Sequence, residues 1–142
     1  MKLVQHLLEN KGRDLISIQP DASVLDAIKL MADKGIGSLV VTENEELKGI
    51  VTERDYARKV IIKGRSSKTT QVAAIMTVDV ITVSSDMTVN KCMAIMTKKR
   101  CRHLPVVDDG ELVGMISIGD LVQAIISDQQ EEIEQLEHYI AG

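Results

Sequence analysis

The sequence predicts an α/β (α+β) fold: two copies of one β-α-β-β-α unit, packed sheet to sheet about a pseudo-two-fold axis. Three observations predict it. Shifted by about 65 residues, the chain aligns on itself without a gap. Within each half, short β-branched runs alternate with segments of helical period. A single half cannot bury both faces of a three-stranded sheet, so two halves must cover each other.

The self-alignment is dense. Asp14 falls on Asp79, Ile16 on Ile81, Asp21 on Asp86, Val24 on Val89 and Met31 on Met96. Lys34, Leu39 and Val41 meet Lys99, Leu104 and Val106. Glu46-Leu47, Gly49 and Asp55 meet Glu111-Leu112, Gly114 and Asp120. The repeat predicts two equivalent clefts, related but diverged.

In the first copy, Leu15 to Ile18 is a β-branched strand ended by Pro20-Asp21. Ser23 with Asp26 signals a helix start, and Val24, Ile28 and Met31 give that helix its apolar face. Gly35 and Gly37 end it. Ser38 to Thr42 is a buried strand, Glu43 to Glu46 a polar turn, and Leu47 to Val51 the return strand. Thr52 with Asp55 opens a helix running to about Lys63. The polar stretch Gly64 to Gln71 links the copies, and a short helix follows over Val72 to Met76.

The second copy repeats the order. Val80 to Val83 is a strand, and Thr88 to Lys99 a helix with Val89, Met93 and Met96 on one face. Leu104 to Val107 and Leu112 to Ile116 are strands joined by the Asp108-Asp109-Gly110 turn, and Ser117 opens the last repeat helix. Ser127 to Ile140 reads as an extra amphipathic helix, with Ile126, Ile133, Leu136 and Ile140 on one stripe. The division is therefore 1–66 for an N-terminal helix and first repeat, 67–127 for the second repeat, and 128–142 for the C-terminal helix.

Composition narrows the function. The net charge is −4 and no basic stripe stands out, which argues against nucleic acid. Tyr56 and Tyr139 are the only aromatics of the Phe, Trp and Tyr set, so a bound ring would lie among aliphatic side chains. Cys92 and Cys101 sit in apolar patterns without CxxC spacing and read as core residues of a reducing compartment. The apolar run at the N-terminus is too short for a signal peptide, and no stretch approaches a membrane span; a cytoplasmic protein is expected. His6 and His138 have no second ligand at metal spacing, so no metal is expected. No nucleophile–base constellation, metal cluster or P-loop is present, so no enzyme is expected either.

Two tetrads carry the most chemistry, Thr52-x-x-Asp55 and Ser117-x-x-Asp120. In each, a strand led by Gly49 or Gly114 runs into a helix start. A helix N-terminus suits phosphate, a carboxylate accepts both hydroxyls of a ribose, and the Thr or Ser hydroxyl can donate to a phosphate oxygen. Both tetrads equally fit an ordinary capping box, which satisfies only the helix's own N–H groups. Arg102 and His103 are placed to reach phosphates, or else form a solvated basic face with Lys98, Lys99 and Arg100. Their counterparts, Gly37 and Ser38, carry no charge, so the two clefts should differ, with the Asp120 site better suited to phosphate. Arg54, Arg58 and Arg65 lie near the first site and read chiefly as exposed charges.

The motifs G-I-V-T-E-R-D (Gly49 to Asp55) and G-M-I-S-I-G-D (Gly114 to Asp120) occupy equivalent positions. R-H-L-P-V-V (Arg102 to Val107), G-I-G-S-L-V-V (Gly35 to Val41) and A-I-M-T (Ala74 to Thr77) support them. With these the chain resembles a tandem pair of cystathionine-β-synthase (CBS) domains, a Bateman module, from about Leu3 to Ile126. It is similar to the small stand-alone bacterial members. The resemblance implies a regulatory sensor, with a ligand of the AMP, ADP, ATP, NAD(H) or S-adenosylmethionine type and no required cofactor. It implies that Asp55 and Asp120 bind ribose, with Thr52 and Ser117 near phosphate and Ile50 and Met115 on adenine. It also implies that the start of the opposite copy meets each ligand: Leu15 and Ile16 beside the Asp120 site, Thr77 and Val80 beside the Asp55 site. Each of these apolar residues is equally a core candidate. A homodimer and an unidentified regulated protein are the implied partners. The alternative is a ligand-free dimerisation scaffold.

Overall fold

A computed structural model describes residues 2–11 and 15–141 of the chain. Asp14, aligned with Asp79 in the repeat, lies outside them. The chain forms two compact units, one continuous (Asp14–Ile81) and one split (Met1–Arg13 with Thr82–Gly142). These units do not follow the linear division at 66 and 67. The segment leading into each repeat joins the other repeat's unit, because its backbone pairs there.

In the continuous unit, β1 (Ser17–Ile18) pairs parallel with β2 (Ser38–Glu43), and β2 pairs antiparallel with β3 (Glu46–Thr52). Asn44 and Glu45 both take positive φ (52° and 66°) in the hairpin between them, the backbone a tight two-residue connection demands. The helix α2 (Val24–Lys34) starts where the Ser23 hydroxyl accepts the Asp26 N–H, and ends at Gly35 in the left-handed conformation. Its N-terminal amides of Val24 and Leu25 donate to the carbonyls of Thr70 and Ser67. The polar linker therefore serves as part of that helix's cap.

The buried face of α2 is Val24, Ala27 and Met31, packed with Leu39, Val41, Val51, Val60, Val72 and Ile75. Ile28, expected on that face, is half-buried at its edge. The same rotation recurs in α4 (Val89–Lys99): Cys92 is buried and Met93 half-buried. Ala27 and Cys92 are repeat counterparts, and small side chains at this point allow close approach of the helix to its sheet.

The helix expected from Thr52 to Lys63 is not regular. Four α-helical residues, α3 (Glu53–Tyr56), pass into a π-helical turn over Ala57–Ile61. There Ile62 donates to Ala57 and Arg65 to Val60, bonds that span five residues and leave one residue extra in the turn. The short helix expected over Val72 to Met76 is a 3₁₀ turn, Val72–Ala74.

In the split unit, β4 (His103–Asp108) pairs antiparallel with β5 (Glu111–Ser117) around a turn in which Asp109 and Gly110 take positive φ. The strand expected over Val80 to Val83 does not form. Only Val83 bridges, parallel to Val106, donating to Pro105 and accepting from Val107. The helix α1 (Val4–Lys11) buries Val4, Leu7 and Leu8 in this unit, and the Val4 and Gln5 amides donate to Met87 and Ser85. Gly114 is needed there: a Cβ on it would lie 2.6 Å from Leu8 Cδ2. Its counterpart Gly49 meets Thr77, whose carbonyl oxygen would lie 2.6 Å from such a Cβ.

The last repeat helix and the extra C-terminal helix are one element, α5 (Ile118–Ala141). No proline or glycine follows Gly119 to break it before Gly142. Leu121 and Ala124 are its buried residues, whereas Ile126, Ile133, Leu136, Tyr139 and Ile140 are exposed.

Candidate functional site

The two Ser/Thr-x-x-Asp tetrads are built alike. Strand β3 delivers Thr52 in extended conformation to the start of α3. The Thr52 hydroxyl accepts the Asp55 N–H at 3.1 Å, and Asp55 Oδ2 accepts the Thr52 N–H at 3.0 Å. The Thr52 hydroxyl also lies 3.1 Å from that oxygen, as its donor. In the split unit, the Ser117 hydroxyl accepts the Asp120 N–H at 3.2 Å, and Asp120 Oδ2 accepts the Ser117 N–H at 2.8 Å. Both are full capping boxes. The first helical amides are committed as well: Glu53 N–H donates to Gly37 and Ile118 N–H to Arg102. Three of the four amides that open each helix, those of the cap and of the first and third helical residues, are thus used within the unit. Each carboxylate is held in a fixed orientation by its cap.

The strand register gathers most of the expected residues. Ser38 faces Thr52 across the β2–β3 ladder and is buried. Ile50, also buried, exchanges two backbone hydrogen bonds with Thr77, at 3.0 and 2.8 Å. Thr77 is thereby fixed beside β3 in the unit that holds Asp55, with its residue surface exposed. Val80 is half-buried in that unit, its N–H donating to Val78. In the split unit His103 faces Ser117 and Met115 faces Pro105, both half-buried on the strand pair that leads to Asp120. Arg102 is exposed at the start of β4. Leu15 and Ile16 are half-buried in the continuous unit, and Ile16 packs against its core. They belong to the unit of Asp55, not to that of Asp120.

The two carboxylates differ in their surroundings. Asp55 is 8% exposed, and its Oδ1 lies 3.2 Å from Lys59 Nζ. That ammonium also donates to the Ile75 carbonyl at 2.8 Å. Arg54, Arg58 and Arg65 are exposed, so the cation at Asp55 is Lys59, one helical turn on. The Asp-x-x-x-Lys spacing is a legible signal for such a pair.

Asp120 lines a hollow of about 410 Å³ with Lys2, Leu7, Asn10, Gln123, Ala124 and Ser127. Lys2 Nζ donates to the Ser127 hydroxyl at 3.2 Å and pairs with Asp128 at 3.4 Å. Lys2, Asn10 and Gln123 were not marked by any motif. A larger hollow, about 740 Å³, lies against β1 and α2 and includes none of the expected site residues. Among the described residues no group of three His, Cys, Asp or Glu side chains is placed to hold a metal ion. Nor is any described helix long and apolar enough to cross a membrane.

Known proteins place this arrangement in a family. The CBS domain model matches residues 11–62 and again 72–127. The mitochondrial CBS domain-containing protein CBSX3 of Arabidopsis thaliana is 46% identical, over 98% of this chain and 72% of that protein. A CBS-domain protein of known structure from Burkholderia ambifaria is 50% identical with a TM-score of 0.86, over 90% of this chain and 96% of that one. The CBS domain pair of protein MJ0100, solved with 5′-methylthioadenosine and S-adenosyl-L-methionine, is 26% identical with a TM-score of 0.80, over 90% and 98%. This chain belongs to the CBS-domain family and carries the domain as a tandem pair.

Proposed function

We propose that the chain is a regulatory module. It binds an adenosine nucleotide or related adenosine compound, reports occupancy to a partner protein, and catalyses no reaction. One observation carries this reading: the Ser/Thr-x-x-Asp turn is built twice with the same hydrogen bonds, and Asp120 faces a hollow of about 410 Å³. Small-molecule sites span roughly 300–1,000 Å³. The capping box orients the carboxylate for the two hydroxyls of a ribose. Ile50 and Met115 sit two residues before the capping Thr and Ser, on the same sheet face, where an adenine would pack. Val80, Leu15 and Ile16 complete the proposed apolar surroundings, Thr77 is the proposed polar neighbour, and Arg102 and His103 are the proposed phosphate partners. The methylthioadenosine and S-adenosylmethionine bound by the MJ0100 pair support an adenosine-type ligand.

A ligand-free scaffold is the second reading, favoured by the exposed stripe Ile126, Ile133, Leu136 and Ile140 on α5. In both readings that stripe is the surface a second copy would cover, making a homodimer.

Thermal unfolding with AMP, ADP, ATP, NAD, NADH and S-adenosylmethionine, each added separately, tests the proposal. A ligand at about 100 times its Kd adds about 2.7 kcal/mol. For a chain of this length that raises Tm by about 9 °C. The Asp55→Ala/Asp120→Ala double variant should lose the shift. A shift that survives in the double variant, or none with any compound, refutes the reading.

A further inference from the structure

Helix α5 exposes Ile118, Val122, Ile126, Ile133, Leu136 and Ile140. At about 100° per residue they fall within an arc of about 80°, one stripe along the helix. The exposed Gln129 lies in the same arc. About Gln129 the stripe reads almost the same in both directions. Ile118 and Ile140 are equally far from it, as are Val122 and Leu136, while Ile126 and Ile133 differ by one residue. Residues 129–141 are all exposed. A helical stretch of this length is marginal in water unless it packs on something.

Charge along α5 is uneven. The helix has no Lys or Arg, and its glutamates, Glu131, Glu132, Glu134 and Glu137, all follow Gln129. The exposed run Lys98-Lys99-Arg100 closes α4, and just beyond it the Arg102 carbonyl accepts the Ile118 N–H at 2.8 Å. The basic end of α4 therefore sits at the start of α5, and the acidic stretch lies towards its other end.

We propose that α5 of a second copy covers this stripe in antiparallel orientation, centred on Gln129. Ile118 then meets Ile140 of the second copy, and Val122 meets its Leu136. The inference rests on the dimer reading above and is independent of the adenosine ligand. A two-fold contact needs a patch that matches itself, residue i on j and j on i. The near-palindrome about Gln129 supplies that match. A parallel pair would set each glutamate cluster beside its own copy, where like charges repel. The antiparallel pair lays the glutamates along the other helix's first half, towards the basic end of α4. A single polar residue in an apolar seam fixes register, which is the part Gln129 takes at the centre.

Disulfide trapping reads the orientation. In a Cys101→Ser background, Val122→Cys and Leu136→Cys chains are treated with oxidised glutathione, each alone and then mixed. Ile118→Cys and Ile140→Cys give a second pair. A disulfide needs Cα atoms within about 7 Å. Each variant alone should therefore stay uncrosslinked, and each mixture should yield a covalent dimer. Ready cross-linking of the single variants, as parallel helices would give, overturns the orientation. So do mixtures that sediment as dimers when reduced and form no disulfide at either pair. Both results leave the dimer standing. A parent chain that sediments as a monomer overturns the dimer and the inference together.

Discussion

Replacing Gly49 by alanine probes the contact that joins the second repeat's leading segment to the first repeat's sheet. The added Cβ would sit 2.6 Å from the Thr77 carbonyl oxygen and 3.1 Å from Met76 Sδ. A backbone oxygen cannot rotate aside. Residues 76 and 77 must therefore withdraw from β3, loosening the two Ile50–Thr77 hydrogen bonds of 3.0 and 2.8 Å. Each such bond contributes about 1 kcal/mol net, and overpacking costs about 1–3 kcal/mol. The lower entropy of the unfolded alanine chain returns roughly 0.4–1 kcal/mol. The net loss is about 2–4 kcal/mol. At an unfolding entropy of about 2.1 cal/mol/K per residue, that lowers Tm by about 7–13 °C. Gly114→Ala is the internal control, because its Cβ meets the Leu8 side chain first, at Cδ2, and not a backbone oxygen, and about 1 kcal/mol is expected. Urea and thermal unfolding followed by circular dichroism measure both. A Gly49→Ala variant no less stable than Gly114→Ala would refute the reasoning.

Three further outcomes follow from particular residues. Arg100 ends α4 at φ 56°, the position Gly35 fills in α2. Relief of its left-handed backbone, less the added unfolded-state entropy, should make Arg100→Gly more stable by about 0.5–1 kcal/mol, and a lower Tm would contradict this. Burial holds the Cys92 and Cys101 thiols above their ordinary pKa of 9.0, against weaker opposing effects of the Lys91 charge and a backbone hydrogen bond. The unfolded thiols then ionise first. The stability they contribute is complete below pH 9 and is lost as pH rises above it. Urea midpoints taken from pH 8 to 10 should fall, and fall less in Cys92→Ala, which places at this site the residue its repeat counterpart Ala27 has. Finally, Ile133→Glu with Leu136→Glu should leave Tm within about 1 °C, since both side chains are exposed, while abolishing any dimer seen by sedimentation. A dimer that persists would remove α5 from the interface.

The features legible in the sequence are those set within a few residues. The capping boxes at Thr52 and Ser117, the cap at Ser23, the turn at Asp109-Gly110 and the end of α2 at Gly35 each depend on groups three or four positions apart. The repeat register was legible too, and with it the pairing of Asp55 with Asp120. The amphipathic period of α2 and α4 was readable, but its phase was not. Whether Ile28 or Ala27 faces the sheet depends on how closely helix and sheet approach, which no local pattern encodes.

The tertiary structure alone decided the exchange of leading segments. The Thr77 and Lys2 backbones find partners far along the chain, and hydrogen bonds at such separation leave no periodic trace. For the same reason the strand expected over Val80 to Val83 shrank to one bridge: its β-branched composition is a preference, and the ladder needs a neighbour in register. The Asp55–Lys59 spacing could be read from the sequence. The anchoring of the ammonium could not, because the Ile75 carbonyl that accepts from it comes from the second repeat's leading segment. Local chemistry wrote two equal turns into this chain, and long-range packing made them different.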